Sequence, residues 1–218
     1  MPVGEWRSEW FRGGHLVLDF VNTVPWRLDA ERAADRLPDA GALIGWCCAA
    51  GLFGEQRADE LRAEAEAEAV PGRALVVAER ARGLREELYG LLQPVAVGRE
   101  PPAAELGRVR QAIADAITHA EIDTVVPLRW VVAVRGVEDV PRALALSAWE
   151  LLQFEDLARL RQCQDRGCGW LFLDRSKNAS RRWCSSADCG NRTRARRHHA
   201  RHRDDSRPPP ETSSGTSR

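Results

Sequence analysis

The chain has 218 residues, 44% of them hydrophobic, and a formal net charge of zero. That apolar content is ample for a buried core and excludes a wholly disordered protein. No apolar run approaches the 18 or so residues of a membrane span, and the opening MPVGEWRSEW lacks the apolar stretch of a secretory signal, so a soluble, cytoplasmic chain with reduced cysteines and no membrane partner is expected.

The neutral total hides a segregation of charge. Residues 1–160 carry 18 Arg against 26 Asp and Glu, whereas residues 161–203 carry 12 Lys and Arg against three Asp. A basic end on an acidic body points to a polyanion partner for that end alone. Lys177 is the only lysine. Guanidinium groups suit phosphate and guanine, but a GC-rich coding bias would give the same excess of arginine.

Taken in order, Gly13–Thr23 (GGHLVLDFVNT) opens the readable pattern. Apolar residues at 16, 17, 18, 20 and 21 fill both faces, which predicts a buried strand ending in the turn-prone Asn22-Thr23. Asp19, Asn22 and Thr23 form a polar cluster there, read either as a self-capped turn or as a small-molecule pocket in a sensory domain. Pro38-Asp39 opens a helix running to Ala50 that contains Cys47 and Cys48, read as core or lining residues. Ala58–Ala69 is a helix with an acidic, solvated face. Leu75–Leu92 carries a helical stripe that Pro94 and Gly98 are expected to end, and Ala103–Ala120 repeats the helical pattern. Leu128–Val134 is the second predicted strand. A long helix starts with Asp139 as N-cap and Pro141 in its first turn, and runs toward Leu160 with no loop before Cys163. Residues 204–218 are rich in Pro, Ser and Thr and read as a disordered tail.

The segment from Cys163 onward is the most specific. Cys163 and Cys168 form a C-x4-C pair, and Cys184 and Cys189 repeat it after fifteen residues. Two such pairs predict one structural zinc ion held by four thiolates, with no open position for chemistry. Gly169 and Gly190 follow the second cysteine of each pair, where a turn with positive φ is expected. Trp170–Leu173 and Arg182-Trp183 read as a hairpin joined by residues 174–178. Trp170 and Trp183 are read as a miniature core, with stacking on bases as the alternative, and Ser185 or Ser186 caps a helix that runs to about His202. Knuckle, hairpin and ligand-bearing helix make a treble-clef-like finger with four cysteine ligands. Asn191 is read on a thiolate or the backbone rather than on a base, and His198 and His202 as polar helix residues. The arginines surround the last helix, so it is not a core helix. Arg192, Arg194, Arg196, Arg197 and Arg201, with Arg175, Lys177, Arg181 and Arg182 near the hairpin, are the candidate nucleic-acid contacts, read as phosphate-binding or as a solvated tail.

The run CGWLFLDRSKNASRRWCSSADCGNR resembles the CGNR zinc-finger family, named for the residues that stand here as Cys189-Gly190-Asn191-Arg192. The upstream LVLDFVNT resembles the start of the ABATE domain, which precedes this finger in bacterial proteins described as stress-induced transcription regulators. The resemblance implies that Cys163, Cys168, Cys184 and Cys189 are zinc ligands and that Asn191 and Arg192 are signature residues. The expected fold class is α+β: a helix-rich domain with a small sheet over residues 1–160, possessing a sensor or dimer role, followed by the finger over 161–203.

The leading expectation is a zinc-dependent, DNA-binding transcription regulator. Alternatives are an RNA-binding finger and a protein-interaction module whose arginines dock on the acidic residues 58–69 of its own or another copy. No nucleophile elbow, phosphate loop or HExxH pattern occurs, so an enzyme is not expected.

Overall fold

The computed structural model describes residues 6–67 and 72–205, with side chains through Arg201. The tail at residues 206–218, expected to be disordered, lies outside the described residues. The helices are α1 (Leu16–Val21), α2 (Ala40–Ala49), α3 (Glu55–Ala67), α4 (Arg73–Ala96), α5 (Ala103–Thr118), α6 (Asp139–Phe154) and α7 (Asn191–Asp205). Two antiparallel sheets have two strands each: β1 (Glu121–Asp123) with β2 (Arg129–Val131), and β3 (Leu160–Gln162) with β4 (Leu171–Leu173). The helix-rich body with small sheets agrees with the expected class. No helix among the described residues is long and apolar enough to cross a membrane.

The predicted first strand is instead the helix α1. Gly14 turns the chain at φ +83°, and the His15 imidazole accepts a hydrogen bond from Val17 N. The Asp19 carboxylate, one turn on, accepts one from Gly13 N at 2.7 Å. Five of the six helical residues are buried. An apolar run that fills every face reports burial, and a six-residue helix satisfies it as well as a strand does.

Asp39 caps α2 as expected, accepting from Ala42 N at 2.8 Å. Helix α3 buries only Ala58 and Leu61, leaving its acidic face in solvent. Helix α4 runs through Pro94 rather than stopping there. Pro94 sits in the last turn, so the intrahelical bond its missing N–H forgoes lies at the helix end, and the helix closes at Gly98 with φ +74°.

The predicted strand at 128–134 shrinks to β2. It pairs with β1 in an exposed hairpin that places Ile122 opposite Trp130. The predicted continuous helix into Cys163 is also corrected. Helix α6 ends at Phe154, Glu155 is extended, and a short turn at Leu157–Arg159 leads into β3. The buried stripe ends at Leu151, Phe154 points to solvent, and Leu160 reaches the core only from extended backbone.

Two apolar clusters result. The larger gathers α1, α2, α4 and α6 around Phe20, Trp46, Leu88 and Leu144, and it also takes in Leu160, Leu171 and Leu173. The smaller comprises the four finger cysteines with Trp170 and Phe172, flanked by Trp10 and Trp183. Strand β4 therefore serves both. Leu171 and Leu173 face the body and Trp170 and Phe172 face the finger, as the two-residue period of a strand requires.

Candidate metal centre and basic helix

The first knuckle sits between paired strands. Strand β3 leads into Cys163 and β4 leaves after Cys168, with Leu160 opposite Leu173 and Gln162 opposite Leu171. The expected hairpin between 170–173 and 182–183 is not formed; Arg182 contributes one carbonyl, which accepts from Gln164 N at 3.0 Å. The cause is Asp174, fully buried, whose carboxylate accepts from Ser176 N, Ser176 Oγ and Arg181 N. These bonds wind residues 174–181 into a closed turn and leave no ladder for a second strand.

Gly169 has the expected positive φ, +74°, and a Cβ there would crowd Leu28 and Arg27. Gly190 does not: it ends a π-helical turn, Ser186–Gly190, that holds Cys189. Ser185 caps that turn by accepting from Asp188 N, and α7 follows directly. A knuckle between strands, then two ligands leading into a helix, gives the treble-clef-like arrangement.

The sulfurs of Cys163, Cys168, Cys184 and Cys189 all lie within 4.8 Å of one another and are buried. Cys168 and Cys184 Sγ are 3.7 Å apart, and Cys184 and Cys189 Sγ 3.4 Å. Tetrahedral zinc–sulfur bonds of about 2.3 Å place sulfurs about 3.8 Å apart, whereas a disulfide requires about 2.05 Å. The donor set fits one zinc ion. Hydrogen bonding among the crowded sulfurs holds the Cys163 thiol well below its ordinary range and pushes Cys184 up, a conflict that a central dication removes. Arg192 Nη2 donates to Cys189 Sγ at 2.9 Å, placing a positive charge beside the thiolates.

The arginines of α7 divide into two faces at 100° per residue. Arg192 and Arg196 turn inward and both reach Asp165 Oδ2, at 3.0 and 2.7 Å. Burial pushes the Asp165 carboxyl up, but Arg196, Gly167 N–H and Arg192 hold it below the usual carboxylate range. Arg194, Arg197 and Arg201 fall within a 60° arc on the opposite face and are exposed. Arg194 donates to Ser186 O and to the Asn191 side chain, which itself donates to Ala187 O. Asn191 thus serves the backbone.

Of the other candidate contacts, Arg175 bridges Gly14 O and Glu155, and Arg181 donates to Arg12 O and Cys184 O. Both tie the finger to the body. Arg182 bonds Gln164 Oε1, and Lys177 is exposed without an ion pair among the described residues. No ion pair joins α3 to the finger among the described residues; the acidic groups Asp59, Glu60 and Glu64 pair with Arg62, Arg57 and Arg73.

The polar cluster after α1 is a clasp. Asn22 Nδ2 donates to Leu171 O at 2.8 Å, and Asn22 Oδ1 accepts from Leu171 N at 2.9 Å, so one buried side chain completes the free edge of β4. Thr23 Oγ1 donates to Phe20 O and accepts from Arg85, whose guanidinium forks onto Asp35 at 2.7 Å twice. Asp19 alone borders a cleft, of about 440 Å³, with Trp6, Phe11 and His15, and burial pushes its carboxyl up to about 6.

Sequence reasoning missed the loop after Thr23. Arg27 N donates to Cys168 O at 3.1 Å, and Trp26 sits at φ +56° with the Arg192 guanidinium 4.1 Å from its ring. It missed Asp165 as the anchor of α7 as well. An aspartate between two cysteines was a readable signal; Trp26 had none.

Comparison with known families divides the chain in the same way. Residues 14–161 match the ABATE model, described as "Putative stress-induced transcription regulator", and residues 159–202 match the CGNR zinc finger model. No curated protein matches the chain.

Proposed function

The chain belongs to the ABATE family and ends in a CGNR zinc finger, and from that premise we propose that it is a zinc-dependent transcription regulator whose finger binds duplex DNA in the cytoplasm. The carrying observation is the two-faced helix α7. Arg192 and Arg196 are spent on Asp165 and the thiolates, while Arg194, Arg197 and Arg201 form an outward row with no carboxylate partner among the described residues. Arg166 and Arg197 line a groove of about 290 Å³ beside that row, which extends the cationic surface. Such a face suits phosphates, and residues fixed by the metal hold it at a constant angle to the body. Four protein ligands leave the zinc no site for substrate, so its role in this reading is structural.

The test is a salt titration of fluorescence anisotropy on zinc-loaded protein with duplex DNA, single-stranded DNA and structured RNA. With about five phosphate contacts, log K should fall against log salt with a slope of about −4 to −5 on duplex. Arg197→Gln with Arg201→Gln should flatten that slope by about two. A folded, zinc-replete chain with no affinity for any polyanion at low salt overturns the reading, and preference for RNA moves it to the RNA alternative.

A second reading concerns the body. The β1–β2 hairpin exposes Ile122, Val126, Leu128 and Trp130 at 53%, 85%, 65% and 46%. That apolar ribbon supports a protein contact, with a second copy as the simplest partner for a regulator of duplex DNA. Sedimentation velocity across a concentration series tests it, with Trp130→Ser expected to weaken the association and an unchanged monomer at every concentration refuting it.

A further inference from the structure

Between the body and the finger lies a cavity of about 320 Å³. Its floor is the sulfur cluster at Cys168, Cys184 and Cys189, and its walls carry three indoles, Trp10, Trp26 and Trp170, and three guanidinium groups, Arg12, Arg36 and Arg192. We propose that this cavity is a binding site for a small aromatic carboxylate, one or two rings in size, that bridges body and finger.

Two guanidinium groups at the site have no direct carboxylate partner among the described residues. Arg36 is half-buried 3.9 Å above the Trp10 ring and makes no ion pair among the described residues; burial alone pushes its pKa down. Arg12, also half-buried, lines the same cavity and likewise has no carboxylate partner among the described residues. The two carboxylates at the rim do not serve them, since Glu9 pairs with Arg7 and Asp188 with Arg192. The zinc–thiolate floor carries net negative charge that offsets part of theirs, but it offers no pair of oxygens, and a planar guanidinium fork fits a carboxylate through two parallel hydrogen bonds.

The walls specify the remainder of the ligand. Three indoles around one cavity favour a flat apolar ring. Trp170 is 9% exposed, so it shows the cavity only part of its ring. Trp26 is held in left-handed backbone at φ +56°, unfavourable for a bulky residue, with Arg32 3.2 Å and Arg192 4.1 Å from its ring. Strain of this kind persists where surrounding contacts hold it, and it clusters at ligand sites. The volume lies at the lower end for ligand pockets, which fits one or two rings and excludes dinucleotides.

A carboxylate seated on Arg36 and Arg12 touches Trp10 on the body side and Trp170 and Arg192 on the finger side. Arg192 opens α7, so occupancy of the cavity is felt at the helix that carries the basic row. Asp19, Asn22 and Thr23, from which a pocket was anticipated, do not line this cavity but adjoin it, since Thr23 O accepts from Arg36 N at 3.1 Å.

Isothermal titration calorimetry on the zinc-loaded full chain, without DNA, tests the site directly. The probes are benzoate and 2-naphthoate, with benzamide as the neutral planar control and cyclohexanecarboxylate as the non-planar anion. Saturable one-to-one binding of an aromatic acid is expected, at least tenfold tighter than either control, and Arg36→Gln should weaken it tenfold or more at unchanged zinc content and melting temperature. No saturable binding of either acid, equal binding of acid and amide, or unaltered affinity in folded Arg36→Gln each overturns the proposal. Tighter binding of a mononucleotide than of the acids also overturns it, by making the cavity a pocket for an extruded base. The unmutated chain with its four probes suffices should Arg36→Gln not fold. Because no DNA is present, failure here is distinct from failure of the finger to bind DNA.

Discussion

The body and the finger are held together by different forces although they share a strand. The body closes over hydrocarbon: Phe20 on Trp46, with Leu88, Leu92, Leu144 and Leu151 buried between helices. The finger has a single fully buried Phe, two tryptophans and four sulfurs, too little apolar surface to order some forty residues without a metal. The seam between them combines both kinds of force: Leu171 and Leu173 bury in the body, and directional polar bonds, Asn22 on Leu171 and Arg175 and Arg181 on backbone carbonyls, fix their register. Hydrophobic burial tolerates sliding and hydrogen bonds do not, so the seam fixes the angle at which the finger is presented.

The contrast is broken most forcefully at the metal. Cys184→Ser should release zinc, a loss on the order of 10 kcal/mol for a small module. Hydrogen exchange should then rise across 163–190 while α2, α4 and α5 remain protected; one zinc per chain with native protection in the finger refutes the ligand set. Next come neighbouring residues of one strand. Phe172→Ala and Leu173→Ala should each lower stability by about 3–5 kcal/mol. Only Phe172→Ala should weaken zinc in a chelator competition, and an equal effect of Leu173→Ala would dissolve the division between the clusters.

Asn22→Ala sharpens the seam, because it strands both the N–H and the C=O of Leu171 in a buried place. A loss of about 2–4 kcal/mol in urea unfolding is expected. Asn22→Asp should not rescue it, because a carboxylate cannot donate to the carbonyl. The smallest effect belongs to Asp19. Its carboxyl is raised to about 6 by burial, so the folded state favours the neutral form. The associated stability is complete below about pH 4 and is lost as pH rises through about 6, amounting to at most about 2–3 kcal/mol. Carbon-detected NMR of the Asp19 carboxyl in the zinc-loaded chain should give a midpoint near 6, and a midpoint near the ordinary aspartate value of about 4 would refute it.

The metal centre was legible because a doubled C-x4-C spacing is a covalent constraint on geometry, independent of packing. Helices α2 to α5 were legible because Asp39, Pro102 and the apolar stripes act locally. What failed to read depended on distant partners. The run at 16–21 became a helix because Gly14, His15 and Asp19 closed its first turn, and such caps are silent in hydropathy. The strand pairing of β4 with β3 instead of 182–183 was decided by Asp174, a buried carboxylate whose turn has no apolar signature. The helix α6 stopped early because Leu160 was needed in extended form by the core. Asn22 carried its role across 149 residues of sequence, a separation at which periodicity says nothing. Arginine counting located the basic helix but not its two faces, which needed the position of Asp165.

The alternation of β4 matters during synthesis. The N-terminal helices emerge from the ribosome before Leu171 and Leu173 do, so the body can begin to condense with a gap where β4 will lie against α1 and α4. Once the last third has emerged and four cysteines have gathered their ion, that strand holds its shape and fills the gap. Without the ion that strand is expected to dock less firmly on α1 and α4, while the rest of the helical core stays closed.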